Sequence, residues 1–330
     1  MKITFFSTQP YDKLFFEKHN SDFGFELEFL EAQLNEQSTP LAKEADVVCA
    51  FVNDRLNETV IHQLAQQKIK LIALRCAGFN NVDLAAATRY TIKVVRVPAY
   101  SPYAVAEHAV ALIMTLNRKT HKAYNRVRDQ NFSLNGLLGF DLYGKTIGVV
   151  GTGNIGQVFC TIMSGFGCRI IAYDKKENES LKTIGVSYLP ITDVFAQADV
   201  ISLHCPLNEQ TRHLINEQTI RVMKKGVMLI NTSRGALIDT PAVIDGLKSG
   251  QIGALGIDVY EQEEKLFFLD LTGKIIDDDV IALLTSLPNV LITAHQGFFT
   301  HEALTQIAQT TLQNIKAFGD KQVLTNEVKS

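Results

Sequence analysis

The stretch Val149–Gly156, VVGTGNIG, sets glycines at 151, 153 and 156 directly after an apolar run and directly before the helical pattern IGQVFCTIMSGFG. A chain that turns this sharply from strand into helix is confined to a βαβ unit. The first glycine permits the tight turn, the second lets backbone approach a bound pyrophosphate, and the third lets helix and strand pack closely. The N–H groups exposed at that helix N-terminus form an anion site. Three glycines alone carry little weight, but a following strand, CRIIAYD, ends in Asp174, 18 positions after Gly156. A carboxylate there accepts from ribose hydroxyls and repels a 2′-phosphate, so the pattern points to NAD over NADP. Lys175 and Lys176 soften that preference.

Around the loop, short β-branched runs alternate with helical stretches. KITFFS, ADVVCAF, KLIALRCAG and IKVVRVP precede it, and GKTIGVVG, CRIIAYD, ADVISLHCP, GVMLINTS, ALGIDVY and NVLITAH form a second series. Such alternation predicts an α/β protein of two doubly wound parallel-sheet domains, Rossmann-like and flavodoxin-like, with an interdomain cleft and about six strands in the second sheet. Between the series lies one long helical stretch, Ser101–Gln130, with Ser101 as N-cap and Pro102 in the first helical position. The last amphipathic stretch, HEALTQIAQTTLQNIKAF, has no strand to serve in the second sheet and is expected to return to the first domain. The expected division is a discontinuous substrate domain, 1–100 plus 298–330, and a dinucleotide domain, 101–297.

Composition removes other classes. A chain of 330 residues with 46% hydrophobic content can bury two cores, and a formal net charge of −3 leaves no footprint for nucleic acid or acidic membranes. No apolar run reaches the roughly 18–20 residues that span a bilayer, and MKITFFSTQP is too short for a secretory core, so a cytoplasmic protein is expected. Five cysteines at 49, 76, 160, 168 and 205 form no C-x-x-C pair, which argues against disulfides and against a metal site. Cys76, beside a glycine turn, is the one place for a reactive thiol, against the commoner reading as a buried hydrophobe.

A nicotinamide carries hydride but not the proton or the electrostatic stabilisation that a carbonyl needs to accept it. Three strand ends can supply these. Arg234 follows GVMLIN, and its guanidinium can pair with a carboxylate and polarise a carbonyl. LGIDVYEQEE brings Asp258, Glu261, Glu263 and Glu264, and NVLITAH ends in His295, a proton donor near neutral pH. A carboxylate such as Glu263 against His295 would favour the imidazolium that ketone reduction needs. Taken singly, each residue is as well explained as solvated surface or core filler; their placement together at strand carboxyl ends gives them weight. The histidines at 19, 62, 108, 121, 204, 213 and 301 lack that combination, and His204 is read as structural.

The glycine loop with Asp174, together with RCAGFNNVD, VPAYSPYAVAEHA, LHCPLNEQTRHLIN, NTSRGALID, DVYEQEEKLFF and HQGFFTHEAL, resembles the D-isomer-specific 2-hydroxyacid dehydrogenase family, and within it the D-lactate dehydrogenase branch. The resemblance covers nearly the whole chain. It implies catalysis by Arg234, Glu263 and His295, and substrate contacts from the amides of Ala77 and Gly78, from Tyr100 and from Phe298. It implies NAD contacts at Val105, Gly151, Gly153, Ile155, Gly156, Asp174, Cys205, Pro206, Thr211, Thr232 and Asp258. It further implies a small 2-keto acid such as pyruvate as substrate, D-lactate as product, and a homo-oligomer, dimer or tetramer, for which the long Ser101–Gln130 segment is the natural place of contact. Tyr103 departs from the pattern, standing where glutamate is expected. A larger keto acid such as phenylpyruvate, and a non-enzymatic NAD(H)-sensing protein of the same fold, stay open alternatives.

Overall fold

Strands β1 (Lys2–Phe5), β2 (Glu26–Phe29), β3 (Val47–Ala50), β4 (Leu71–Leu74) and β5 (Lys93–Val95) form a parallel sheet in the order β2-β1-β3-β4-β5. The computed structural model describes residues 1–329, apart from the side chain of Lys265. Strands β3 and β4 are buried along their whole length, as parallel strands covered on both faces must be. The crossovers use α1 (Pro10–Asn20), α2 (Glu58–Gln66) and α3 (Leu84–Arg89). Asn57 and Asp83 cap the last two, accepting from Val60 N–H and Ala86 N–H. Strand β2 is absent from the sequence expectation. Its residues, ELEF, alternate acid and apolar at an edge that pairs only with β1, so no continuous apolar run marks it.

The chain then enters a second unit, Pro102–Phe298, through α4 (Pro102–Arg118) and α5 (Thr120–Arg128). These are two helices where the sequence pattern predicts one. Lys119 breaks them with a left-handed backbone, φ 51°, and α5 buries none of its residues, so no packed face holds it in line with α4. The sheet follows with β6 (Thr146–Val150), β7 (Arg169–Tyr173), β8 (Ser187–Tyr188), β9 (Val200–Leu203), β10 (Val227–Asn231), β11 (Ile252–Ile257) and β12 (Val290–Ile292). Its parallel order is β12-β11-β10-β9-β6-β7-β8, the doubly wound arrangement with one strand added, and the strand order reverses between β6 and β9. The strand beyond the expected six is β8, two residues long and too short to show periodicity.

Alternation along these strands serves two cores. Val150, Ile171, Ile201, Leu203 and Leu229 face one way, onto α8 (Ile191–Gln197), α9 (Glu217–Val222), α10 (Thr240–Ser249) and α11 (Asp279–Ser286). Ile147, Val149, Ile170, Ala172 and Met228 face the other, onto α4, α6 (Asn154–Gly165) and α7 (Glu179–Thr183). The final helix, α12 (His301–Gly319), is capped by Thr300 and packs in the first unit against α1 and β4; that unit comprises Met1–Ser101 and the segment from Phe299 onward. Among the described residues, no helix is long and apolar enough to cross a membrane.

Candidate active site

The glycine loop leaves β6 at the point where the strand order reverses. Gly151 has φ +95°, and a Cβ on it would lie 2.7 Å from backbone atoms of His204 and Cys205. A Cβ on Gly156 would come within 2.0 Å of the Gly151 carbonyl oxygen. These two glycines are therefore required by the fold. Gly153 is different: a Cβ there would meet no protein atom within 4 Å. Its bare backbone leaves open the space that a pyrophosphate would need at the start of α6, where Ile155 sits half-buried. At the end of the neighbouring strand β7, Asp174 Oδ2 accepts from the Thr152 N–H at 2.6 Å and Oδ1 from the Lys176 N–H at 3.1 Å. The carboxylate is thus fixed against the glycine loop while staying half-exposed.

On the other side of β6, the turn after β9 runs beside the loop. Thr211 Oγ1 closes it, donating to the Pro206 carbonyl at 2.7 Å and accepting from the Asn208 N–H at 2.8 Å. Burial pushes the Cys205 thiol up to about 11, so it stays protonated. His204 bonds Ser202 Oγ through Nε2 at 2.9 Å and packs on Phe159, and burial pushes its imidazole down to about 3. Neutral and packed, it is a structural histidine. Thr232, after β10, keeps its hydroxyl buried without a hydrogen-bond partner among the described residues. An orphaned hydroxyl together with the open backbone at Gly153 fits a polar ligand such as NAD. Val105, on α4, is buried.

Three further strand ends carry the chemistry. After β10, Asn231 ties the turn, its Oδ1 accepting from the Ser233 N–H at 3.0 Å and its Nδ2 donating to the Arg234 carbonyl at 2.8 Å. Gly235 follows because a Cβ there would lie 2.2 Å from the Tyr260 carbonyl carbon; the loops after β10 and β11 touch. The second of those loops sorts its acids by partner. Glu261 pairs with His213 at 2.8 Å and Arg212 at 3.2 Å, whereas Glu263 Oε1 lies 2.8 Å from His295 Nδ1. The other oxygen of Glu263 accepts from the Tyr260 N–H at 2.9 Å, and the Tyr260 hydroxyl donates to Asp278, the N-cap of α11. Glu263 is thereby held by its own strand end before it holds the histidine.

Asp258 is 1% exposed and lies beneath this site. Its carbonyl accepts from the His295 N–H at 2.8 Å, Oδ1 from the Gln296 N–H at 2.8 Å, and Oδ2 from the Gly297 N–H at 2.7 Å. Burial alone would raise its carboxyl, but hydrogen bonds from His108 and Thr293 outweigh that and hold it below the usual carboxylate range. A glutamate-backed imidazole after β12, an arginine two strands away after β10 and an anionic clamp on the histidine's backbone are groups able to donate a proton and to polarise a carbonyl.

Comparison with known proteins decides the family. Residues 110–297 match the D-isomer specific 2-hydroxyacid dehydrogenase, NAD binding domain. D-lactate dehydrogenase of Escherichia coli strain K12 is 51% identical over 328 residues, covering 99% of this chain and 100% of the relative. The chain belongs to the D-isomer specific 2-hydroxyacid dehydrogenase family. A structure of the pyruvate reductase of Chlamydomonas reinhardtii matches with a TM-score of 0.93 at 47% identity, covering 99% of this chain and 98% of the other. A D-lactate dehydrogenase with NAD+ from Lactobacillus jensenii matches with a TM-score of 0.83 at 31% identity over 100% of both chains. NAD is accordingly the cofactor of this dehydrogenase.

The other sites read from the dehydrogenase sequence lie in the first unit or, for Tyr103 and Phe298, near the two ends of the second unit's stretch of chain. Ala77 and Gly78 form the turn after β4, where the Ala77 carbonyl accepts from Arg96 at 2.7 Å and the Gly78 carbonyl from the Cys76 thiol at 3.3 Å. Cys76 is buried, as a packing residue would be. Just ahead of the turn, Arg75 is 1% exposed and donates to Asp12 at 3.1 Å and to the Ser7 carbonyl at 2.8 Å. Tyr100 is half-buried and Phe298 buried, while Phe299 meets Tyr11 edge to face at 4.8 Å. Tyr103 is exposed on the first turn of α4. Arg75 is not among the residues that the sequence marks, and His108 is among the histidines it sets aside. Their signal was an arginine inside the apolar run KLIALRCAG and a histidine four residues from both Ala104 and Leu112 on the buried side of α4.

Proposed function

We propose that this chain is an NAD-dependent D-lactate dehydrogenase that reduces pyruvate to D-lactate. The observation that carries the reading is the 2.8 Å contact between His295 Nδ1 and Glu263. With Nδ1 committed to the carboxylate, Nε2 is the nitrogen that gives a proton to the carbonyl oxygen, and Glu263 stabilises the charged ring. NADH, when bound, supplies the hydride. Arg234 pairs with the substrate carboxylate and polarises the carbonyl. The first unit's substrate contacts are the amides of Ala77 and Gly78 and the side chain of Tyr100. The second unit serves the cofactor through Val105, Gly151, Gly153, Ile155, Gly156, Asp174, Cys205, Pro206, Thr211, Thr232 and Asp258, and the first unit serves the substrate. Phe298 offers an apolar contact for a methyl group, and D-lactate dehydrogenases among the relatives at about half identity support the reading. The free cysteines suit a reducing cytoplasm, where pyruvate reduction regenerates NAD in fermentation.

The test is the initial rate of NADH oxidation with pyruvate beside phenylpyruvate and hydroxypyruvate, with the chirality of the product determined. Fast pyruvate turnover giving only the D-acid supports the reading. Preference for a bulkier acid changes the substrate, and NADH binding without turnover on any of them overturns the enzyme.

A further inference from the structure

We infer that His108, on α4, is a positioning residue for His295, acting through Thr293 and Asp258. The inference rests on the reading of His295 as the proton donor. His295 has φ 53°, a left-handed conformation that is strained for a side-chain-bearing residue and persists only where its surroundings impose it. Asp258 imposes it. One residue takes the N–H groups of His295, Gln296 and Gly297 and the hydroxyl of Thr293, the last at 2.5 Å. Four groups of one five-residue segment thus converge on a single buried aspartate.

Such a carboxylate needs donors on every side, because burial without them disfavours its charge. Three come from the segment it holds. His108 brings another from a separate helix: its Nε2 lies 2.9 Å from Thr293 Oγ1 and 3.3 Å from Asp258 Oδ1. Because the Thr293 hydroxyl gives its hydrogen to Asp258, its lone pairs face His108, and the imidazole must carry its hydrogen on Nε2. The imidazole therefore closes a ring of hydrogen bonds that joins α4, the end of β11 and the turn after β12. Opening that ring frees Asp258 to move and the His295 turn to relax toward ordinary backbone angles, which misaligns the donor nitrogen.

Three variants test this, with His295→Gln as reference. His108→Leu removes the donor, His108→Gln places an amide N–H where the imidazole Nε2 was, and His108→Asn ends one carbon short. The expected result for His108→Leu and His108→Asn is a fall in kcat on the order of 10- to 100-fold, the scale of a small misplacement of a reacting group, with KM for pyruvate little changed. His108→Gln is expected to recover most of the turnover. A purely structural role would not separate Gln from Asn, and that comparison decides the matter even if the Leu variant fails to fold. Equal turnover in Gln and Asn, or wild-type turnover in Leu, overturns the inference while a dead His295→Gln leaves the proton-donor reading standing. Turnover retained by His295→Gln overturns both.

Discussion

At the level of single residues, the site separates groups that look alike in the chain. Glu261 and Glu263 stand two apart in the same acidic run, yet one is held by His213 and Arg212 and the other holds His295. His295→Gln keeps a polar side chain of similar length but cannot donate a proton as an acid. Its kcat for pyruvate should fall by about 10²- to 10⁴-fold, the contribution of a positioned general acid, while NADH affinity measured by fluorescence stays close to wild type. Undiminished turnover would remove His295 from the mechanism. The sequence made His295 and its carboxylate legible because both follow apolar strands, whose carboxyl ends gather at one edge of a parallel sheet. It did not disclose His108, because a histidine on an amphipathic helix takes its meaning from what the helix packs against.

Among the elements, the glycine loop and the strand beside it permit a test that separates folding from binding. Gly153 has φ −67°, and a Cβ there meets no protein atom within 4 Å, whereas one on Gly156 would collide with the Gly151 carbonyl. Gly153→Ala should therefore keep or slightly raise the melting temperature, through a less flexible unfolded chain, and weaken NADH binding. Gly156→Ala should lower both. Equal NADH affinity in Gly153→Ala and wild type would mean that no ligand comes close to that backbone.

The strand β9 carries a second test at this scale. His204 titrates near 3 in the folded chain and near 6.5 when unfolded, so the unfolded state takes up a proton that the folded state refuses. Its contribution to stability is complete above about pH 6.5 and is lost as pH falls toward 3. Urea midpoints measured at pH 7 and pH 5 should differ less in His204→Asn than in wild type, and an unchanged difference would show that the imidazole is not kept neutral by its surroundings. Elements also mark where periodicity stops being informative. The apolar runs that sequence analysis singled out all contain strands, but β2 and β8 are edge strands with half-exposed or two-residue bodies. The break at Lys119 is likewise silent, because helix propensity continues across it and only the loss of a packed face beyond α4 explains it.

For the whole molecule, the surface of the second unit argues for self-association. Directly after α5, Phe132, Leu134, Leu138 and Tyr143 are 73%, 81%, 89% and 81% exposed, and Tyr124 and Val127 on α5 add to them. Isolated exposed apolar side chains need no explanation, but this many within about twenty residues mark a segment suited to being covered by a partner. The expected assembly is a homo-oligomer in which a second copy covers this segment, which lies just beyond the Ser101–Gln130 stretch that the sequence suggested for the contact. Leu134→Glu with Leu138→Glu places two charges in that surface, where desolvating them without partners would oppose association. Light scattering should then show wild type at a multiple of the chain mass and the double variant shifted toward one chain, with its melting temperature lowered. Both substituted residues are far more exposed than any residue of the unit's core, so a double variant that stays fully assembled would place the interface on another face, and a wild type that runs as one chain would leave these side chains facing water.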